Sequence, residues 1–307
     1  MRSVLLAVHA LRNGAPRIAA DFAASLQGAG IEVRVLEGEE AEALAGAGAV
    51  DLVTVPAEPG AARDCELTVV FGGDGTILRA AELCRGTGTP LLGVNLGHVG
   101  FLAEADEEDL DLVARRVIAG DLTVEERLTV DVLVLQDGEV VATNWALNEA
   151  SVEKASRERM LEVVVEIDGR PVSRMGCDGV VCATPTGSTA YNFSAGGPVV
   201  WPEVSALLMV PISAHALFAR PMVVSPESTL AVEVVGASAT GVLWCDGRRA
   251  SDLPLGARVE VRRGVEPVRL ARVHPASFAD RLVRKFELPV SGWRGSSEAS
   301  RRAAGER

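Results

Sequence analysis

Near residue 121 the hydrophobic periodicity of this chain changes, and the change limits it to a fold with two differently built parts. Before that point, short apolar runs alternate with segments of helical spacing. Residues 3–9 read as a buried strand. Pro16 followed by Ile18, Ala19, Phe22, Ala23 and Leu26 has helical spacing, with proline near the start and Gly28 and Gly30 to stop it. Further strands are expected over 31–36, 66–71 and 90–95, and helices over about 76–84 and 107–119. Strands separated by helices imply a mostly parallel sheet covered on both faces.

Beyond residue 121 the period is two. Residues 122–135 alternate and end at Asp137-Gly138, and residues 161–167 alternate and end at Asp168-Gly169; both are hairpin turn signals. Strands are also expected over 177–184, 207–212, 230–235, 240–245, 257–263 and 268–273. Helical runs are scarce, so this part is predominantly β. Residues 276–286, with Phe278, Leu282, Val283 and Phe286, return to helical spacing, and the tail Ser296–Arg307 is small and polar. The expected organisation is an α/β domain over 1–120, a β-rich domain over 121–275, and a helix and tail over 276–307.

The 307 residues, 48% of them hydrophobic, suffice for two cores. No apolar run approaches the roughly 18 residues of a membrane helix. The start, Met1 to His9, carries one basic residue and no small-residue cleavage site, so it reads as a strand and not as a signal peptide. Five cysteines without a close pair argue against a disulfide framework or structural zinc and for a reducing cytoplasm. A net charge of −12 weighs against nucleic-acid or anionic-membrane binding. Such a chain can hold phosphates only locally, through backbone N–H groups, a few cationic side chains or metal ions.

Two glycine-rich turns offer that. Gly72-Gly73-Asp74-Gly75-Thr76 follows an apolar strand and opens a helix, where unpaired N–H groups and the helix dipole favour phosphate. An aspartate inside that turn repels phosphate, so Asp74 reads as a metal ligand, a base or a helix-capping residue. The turn is neither a Walker A loop nor a G-x-G-x-x-G fingerprint. Asn95-Leu96-Gly97-His98-Val99-Gly100-Phe101-Leu102 leaves the next strand, and such loops line the ligand crevice of an open parallel sheet. His98 could touch phosphate but reads better as a loop hydrogen bonder, and Phe101 as a base-pocket wall or core.

In the β-rich part, Asn148-Glu149 could read a purine edge or ribose hydroxyls. Thr184 through Ser194 concentrates hydroxyls, backbone donors and the only tyrosine, Tyr191, in a stretch with few charges. That suits a sugar–phosphate ligand, or else a capped tight turn. Asp246-Gly247 favours a hairpin turn over a place near the site. Arg248-Arg249 and Arg262-Arg263 read as solvated surface before phosphate contacts.

Taken in order, Gly72–Thr76, Asn95–Leu102, Asn148-Glu149, Asp178-Gly179 and Thr184-Pro185-Thr186-Gly187-Ser188-Thr189-Ala190-Tyr191 make the chain resemble the NAD kinase family over nearly all its length. The first motif alone is shared with diacylglycerol and sphingosine kinases and, more distantly, phosphofructokinases; the long Thr184–Tyr191 motif is specific. Pro211–Pro221 is similar to actinobacterial members. The resemblance implies an α/β amino-terminal domain, a β-sandwich-like carboxy-terminal domain, and a last helix that returns to the first domain. It implies homodimers or homotetramers, with NAD between the domains and touching the neighbouring subunit.

It carries the catalytic role onto Asp74, phosphate handling onto Gly72, Gly73, Gly75 and Thr76, and adenine and ribose contacts onto Asn148 and Glu149. A nicotinamide-side contact falls on Asp178, and Thr189, Ala190, Tyr191 and Ser194 match the NAD-binding segment. Asn95, Phe101, Thr186 and Ser188 belong to the same binding motifs. The implied reaction is phosphoryl transfer from ATP, or polyphosphate, to the adenosine ribose of NAD, with Mg²⁺ bound mainly through ATP. A lipid kinase of the diacylglycerol type and a non-catalytic NAD-sensing module are the alternatives. The first predicts an apolar entry and leaves Thr184–Tyr191 unexplained; the second predicts NAD binding without transfer.

Overall fold

A run of buried residues, Ser3–Val8, forms β1 at the centre of the first sheet. The computed structural model that shows this describes residues 1–12, 14–97, 100–157, 159–236, 239–273 and 277–290. His98 and the tail Ser296–Arg307 therefore lie outside the described residues, as does Ala276, where the last helix was expected to begin.

The chain divides into two compact units. One comprises Met1–Leu83, Leu91–Thr123 and the described chain from Ala271 onward; the other comprises Cys84–Pro90 and Val124–Leu270. In the first unit, β1 is followed by α1 (Ala15–Gly28), β2 (Glu32–Leu36), α2 (Glu39–Gly46), β3 (Val53–Val55), β4 (Leu67–Phe71), α3 (Asp74–Cys84), β5 (Leu91–Asn95), β6 (Ala105–Asp106) and α4 (Leu110–Ala119). The apolar stripe of α1 buries Ala15, Ala19, Phe22, Ala23 and Leu26, and Phe22 meets Phe71 edge-on at 5.4 Å. Strand order is β3-β2-β1-β4-β5, all parallel, with β6 parallel beside β5. Because β2 lies on one side of β1 and β4 on the other, the order reverses between β1 and β4. In open parallel sheets the ligand crevice forms at the carboxyl ends of the strands at such a reversal. Two segments leave the sheet there: the β1–α1 loop and the turn at Gly72–Asp74.

The second unit is built from hairpins. Its strands are β8 (Val130–Gln136), β9 (Glu139–Ala146), β10 (Glu149–Lys154), β11 (Leu161–Ile167), β12 (Arg170–Cys177), β13 (Gly179–Ala183), β14 (Leu207–Ile212), β15 (Met222–Val224), β16 (Leu230–Val234), β17 (Gly241–Cys245), β18 (Arg249–Leu253) and β19 (Arg258–Arg263). The chain passes between the units in β7 (Thr123–Arg127) and β20 (Val268–Arg272). One six-stranded sheet runs β15-β14-β13-β10-β17-β18 and the other β12-β11-β16-β19-β8-β9. Alternate residues of both face one core, including Val132, Val163, Val232 and Val259 from one sheet and Val152, Val180, Met209 and Leu243 from the other. This is a β-sandwich. Asp137, Asp168 and Asp246 each adopt a positive φ of 53–54° before a glycine of positive φ, so the three Asp-Gly pairs turn three hairpins. The outer face of β13 and β14 is also covered: Val181, Ala183, Leu208 and Val210 pack with Tyr191, Ala195 and Val200. The hydroxyl-rich segment thus lies on the outside of the sandwich, with a 3-10 turn at Thr186–Thr189 followed by the helical turn α5 at Tyr191–Ser194.

The expected strands and helices are present to within a residue or two at most ends. The sequence pattern did not disclose α2, β3, β6, β10, β15 or β18, and it pointed to β9 and β12 only through the Asp-Gly turns before them: α2 buries Glu40 alongside Leu44, an unusual apolar face, and β3 has three residues, two of them exposed. After a capping Ser277, the last helix, α6 (Phe278–Phe286), closes on the first unit.

Candidate active site

In the first unit, β4 ends at Phe71 and the chain turns through Gly72-Gly73 into α3, whose first residue is Asp74. The carboxylate of Asp74 does not cap its own helix. One oxygen accepts the N–H of Phe101 at 3.0 Å and the other that of Leu102 at 3.1 Å. The two glycine-rich segments therefore meet through one side chain. Gly100 allows this, since a Cβ there would lie 2.3 Å from Asp74 Oδ1. Thr76 folds back over Gly72, and Gly73 and Gly75 flank Asp74. Asn95, 3% exposed, donates to the carbonyl of Gly97 and to Asp106, while its own Oδ1 has no partner among the described residues.

The loop carrying those two N–H groups is braced by α6. Arg281 donates to the carbonyls of Phe101 and Ala103 at 3.0 and 2.9 Å and pairs with the buried Glu104 at 2.6 Å. The ring of Phe101 lies 5.9 Å from those of Phe278 and Phe286. What Phe101 gives Asp74 is its backbone; its side chain is engaged by the last helix.

In the second unit, Asn148 and Glu149 end the β9–β10 connection, 8% and 7% exposed. Asp246 holds them from beneath. Its carboxylate accepts Leu147 N–H at 3.0 Å and Asn148 N–H at 2.7 Å, and Arg249 pairs with it at 2.8 Å. Arg249 also lies over the ring of Trp145 at 4.6 Å, with Arg85 at 4.3 Å. Arg249 is thus not the solvated surface residue expected, because Asp246 and Trp145 take it in. Arg262 and Arg263 do sit exposed, paired with Glu260 and Glu227.

The Thr184–Tyr191 segment closes on the same point. Thr184 donates to the carbonyl of Leu147 at 2.6 Å, and its N–H to that of Asn148 at 2.9 Å. Tyr191 N–H reaches Glu149 at 3.4 Å. Thr186 is buried, Thr189 and Ala190 are half-buried, and Ser194 is exposed. Ser188 is wholly buried, and its hydroxyl exchanges hydrogen bonds with the backbone of Val200, so it braces the turn. Asp178 stands at the opposite end of β13 from Thr184, roughly 20 Å away at the usual rise per residue. Lys154, 2.5 Å from it, draws its carboxyl below the usual range. This spread suits an extended ligand.

Electrostatically the second unit is crowded with carboxylates. Burial, then Asp246 and Glu153, push Glu149 up to about 8. Burial pushes Asp246 up as well, opposed by the N–H groups of Leu147 and Asn148 and by Arg249. Tyr191 is raised by burial and then by Glu153, Glu149 and Asp178. Among the described residues no three His, Cys, Asp or Glu side chains converge as a metal cage.

Sequence reasoning passed over two residues here. Asp246 was legible as an Asp-Gly turn, which it is, but not as the clamp under Asn148. Arg12, in the β1–α1 loop, carried no motif at all.

Residues 5–122 match the family described as the ATP-NAD kinase N-terminal domain, and residues 147–273 the one described as the ATP-NAD kinase C-terminal domain. The chain is 63% identical over 295 residues to NAD kinase 2 of Streptomyces avermitilis, covering 96% of this chain and 97% of that protein. To the NAD kinase of Thermobifida fusca it is 59% identical over 300 residues, covering 96% and 92%. A crystal structure of an NAD kinase from Archaeoglobus fulgidus in complex with ATP superimposes with a TM-score of 0.72 at 25% identity, over 94% of this chain and all of that one. Yeast NADH kinase complexed with NADH shares the fold, with a TM-score of 0.86 at 23% identity over 95% and 89%.

Proposed function

The chain belongs to the NAD kinase family, and we propose that it transfers the γ-phosphoryl group of ATP to the 2′-hydroxyl of the adenosine ribose of NAD, giving NADP. The observation that carries this reading is the seat of Asp74. A carboxylate held by two backbone N–H groups at the start of a helix is fixed in direction before any ligand arrives. Each oxygen keeps a lone pair to accept from a hydroxyl.

In the reaction, the 2′-oxygen attacks the γ-phosphorus while its proton passes to Asp74. The bond between that phosphorus and the β,γ-bridging oxygen breaks, and ADP leaves with the electron pair. Little covalent work falls to the protein in such a transfer; it supplies position and electrostatics. The turn Gly72, Gly73, Gly75 and Thr76 handles phosphate, with the N–H groups of Gly73 and Gly75 as donors, since those of Gly72 and Thr76 donate to the carbonyls of Val94 and Gly73. Asn148 and Glu149 hold adenine and ribose, Asp178 the nicotinamide side, and Thr189, Ala190, Tyr191 and Ser194 the rest of NAD. Asn95 borders the donor side.

The divalent cation comes as part of the substrate, Mg²⁺ bound to the phosphates of ATP, as in phosphoryl transfer generally. The proposal includes a cytoplasmic location, supported by five buried cysteines, none of them in a disulfide. No helix among the described residues is long and apolar enough to cross a membrane. It also includes self-association as a homodimer or homotetramer, supported by the exposed Phe193, Trp201, Val204, Leu217, Phe218 and Val223 of the second unit.

The test is NADP formation by purified protein given NAD, Mg²⁺ and either ATP or polyphosphate. NADP with ATP is expected. NAD binding without NADP from any donor would make the chain a sensing module instead.

A further inference from the structure

We infer that Arg12 is the side chain that anchors the phosphate chain of the donor. The inference rests on the phosphoryl transfer proposed above and assigns that reaction a cationic side chain beside the Mg²⁺ that arrives with ATP.

Arg12 lies in the β1–α1 loop, one of the two segments leaving the sheet where the strand order reverses. Its Nη2 donates to the carbonyl of Leu96, just past the end of β5, at 2.6 Å. In the sheet β4 lies between β1 and β5. Neighbouring strands are about 4.8 Å apart. A side chain that starts after β1 and ends after β5 must therefore cross the carboxyl end of β4, where the Gly72–Asp74 turn begins. Gly97 shows how closely it is seated: a Cβ there would lie 2.0 Å from Arg12 Nη2. Each of two glycines in one loop thus admits one charged group, Gly100 the carboxylate of Asp74 and Gly97 the guanidinium of Arg12.

Four other arginines of the same unit are already paired with carboxylates. Arg79 pairs with Glu40 at 2.5 Å, Arg272 and Arg281 with Glu104 at 2.7 and 2.6 Å, and Arg284 with Asp106 at 2.7 Å. Arg12 is half-buried, and among the described residues the one hydrogen bond of its side chain is to a neutral carbonyl. A guanidinium carries five N–H donors in a planar fork that matches phosphate oxygens. Among the described residues, four of the five have no partner, and these face a ligand in the proposal. In a protein of net charge −12, an arginine so placed at the phosphate turn fits the oxygens of a triphosphate better than any uncharged group.

The experiment compares the full-length protein with Arg12→Ala, Arg12→Gln and Arg12→Lys, varying ATP and NAD separately and following thermal melting. Arg12→Ala and Arg12→Gln should raise KM for ATP by about tenfold or more, the usual scale of one charge-assisted contact. KM for NAD should stay within about twofold, and Arg12→Lys should fall between. Inorganic tripolyphosphate should compete with ATP in the wild type and lose affinity in Arg12→Gln in parallel with ATP, which separates a phosphate contact from an adenosine contact. If kcat falls while KM for ATP and tripolyphosphate affinity hold, Arg12 merely props the loop that seats Asp74, and the inference is overturned. Loss of the native melting transition in all three variants overturns it as well. A wild type that makes no NADP overturns the function itself, an outcome separate from any behaviour of the variants.

Discussion

Asp74 and Glu149 are two carboxylates from two motifs of one family, and the fold treats them in opposite ways. Asp74 is half-exposed at the start of α3, and each of its oxygens accepts one backbone N–H. Glu149 is 7% exposed, with a single long contact from Tyr191 N–H at 3.4 Å, and it faces Asp246. Of that second pair, Asp246 receives the two short amide bonds and the arginine. These oppose the rise that burial causes in Asp246, whereas Glu149, with burial and then Asp246 against its charge, is pushed up to about 8. The fold has therefore made one carboxylate a fixed acceptor and the other a neutral, polar wall. The letters of the motifs do not distinguish them; burial, and then the supply of N–H groups and neighbouring charges, does.

The sharpest way to break this contrast is Asp74→Asn. An amide in that seat turns an NH₂ toward one of two backbone donors that need an acceptor. It also has no basic oxygen for the 2′-proton. Turnover should fall by about 100-fold to 10,000-fold, the range general-base groups contribute. KM for NAD should stay within a few-fold. Steady-state kinetics decide it, and near-normal turnover would remove Asp74 from the chemistry.

Asp246→Ala attacks the other side. It strands two buried N–H groups and leaves Arg249 without its acid, so stability should drop by about 3 kcal/mol. KM for NAD should rise with it, as Leu147 through Glu149 loosen. Asp246→Asn, keeping one acceptor, should cost about half as much. Urea denaturation measures both, and an alanine variant as stable as the wild type would reduce Asp246 to the hairpin residue its Asp-Gly sequence suggests.

Legibility in the sequence followed the range of the interaction. Period-two and helical spacing disclosed the longer apolar strands and most helices, because each depends on burial of its own face; β3 and β15, three residues each, left no run to read, and α2 and β10 failed since Glu40, Glu149 and Ser151 occupy buried places that spacing assigns to apolar residues. The motif residues of each unit were found at their turns, yet not what holds them. Asp74 is fixed by N–H groups 27 and 28 residues away, Asn148 by a carboxylate 98 residues away, and Arg12 reaches a carbonyl 84 residues away. A backbone donor has no letter, and a carboxylate in a turn looks the same whether it merely turns the chain or also clamps another.

Glu149→Gln is the mildest change and sharpens the contrast most directly. Glutamine copies the shape of a protonated carboxyl, so at pH 7 activity should stay within about threefold of wild type, whereas Asp74→Asn, the matching change in the first unit, removes most of the turnover. The pH dependence carries the sign. An unfolded glutamate releases its proton near 4.5, while the folded one holds it to about 8. The folded chain binds the extra proton in between, so this stabilisation is complete below about 4.5 and is lost as pH rises through about 8. The variant has no such loss. From pH 6 to pH 7 its stability should therefore gain on the wild type by about 1 kcal/mol. Above pH 8 the difference should level off. A difference that stays constant from pH 5 to pH 9 would mean that Glu149 is charged in the fold after all, and that the two carboxylates are of one kind.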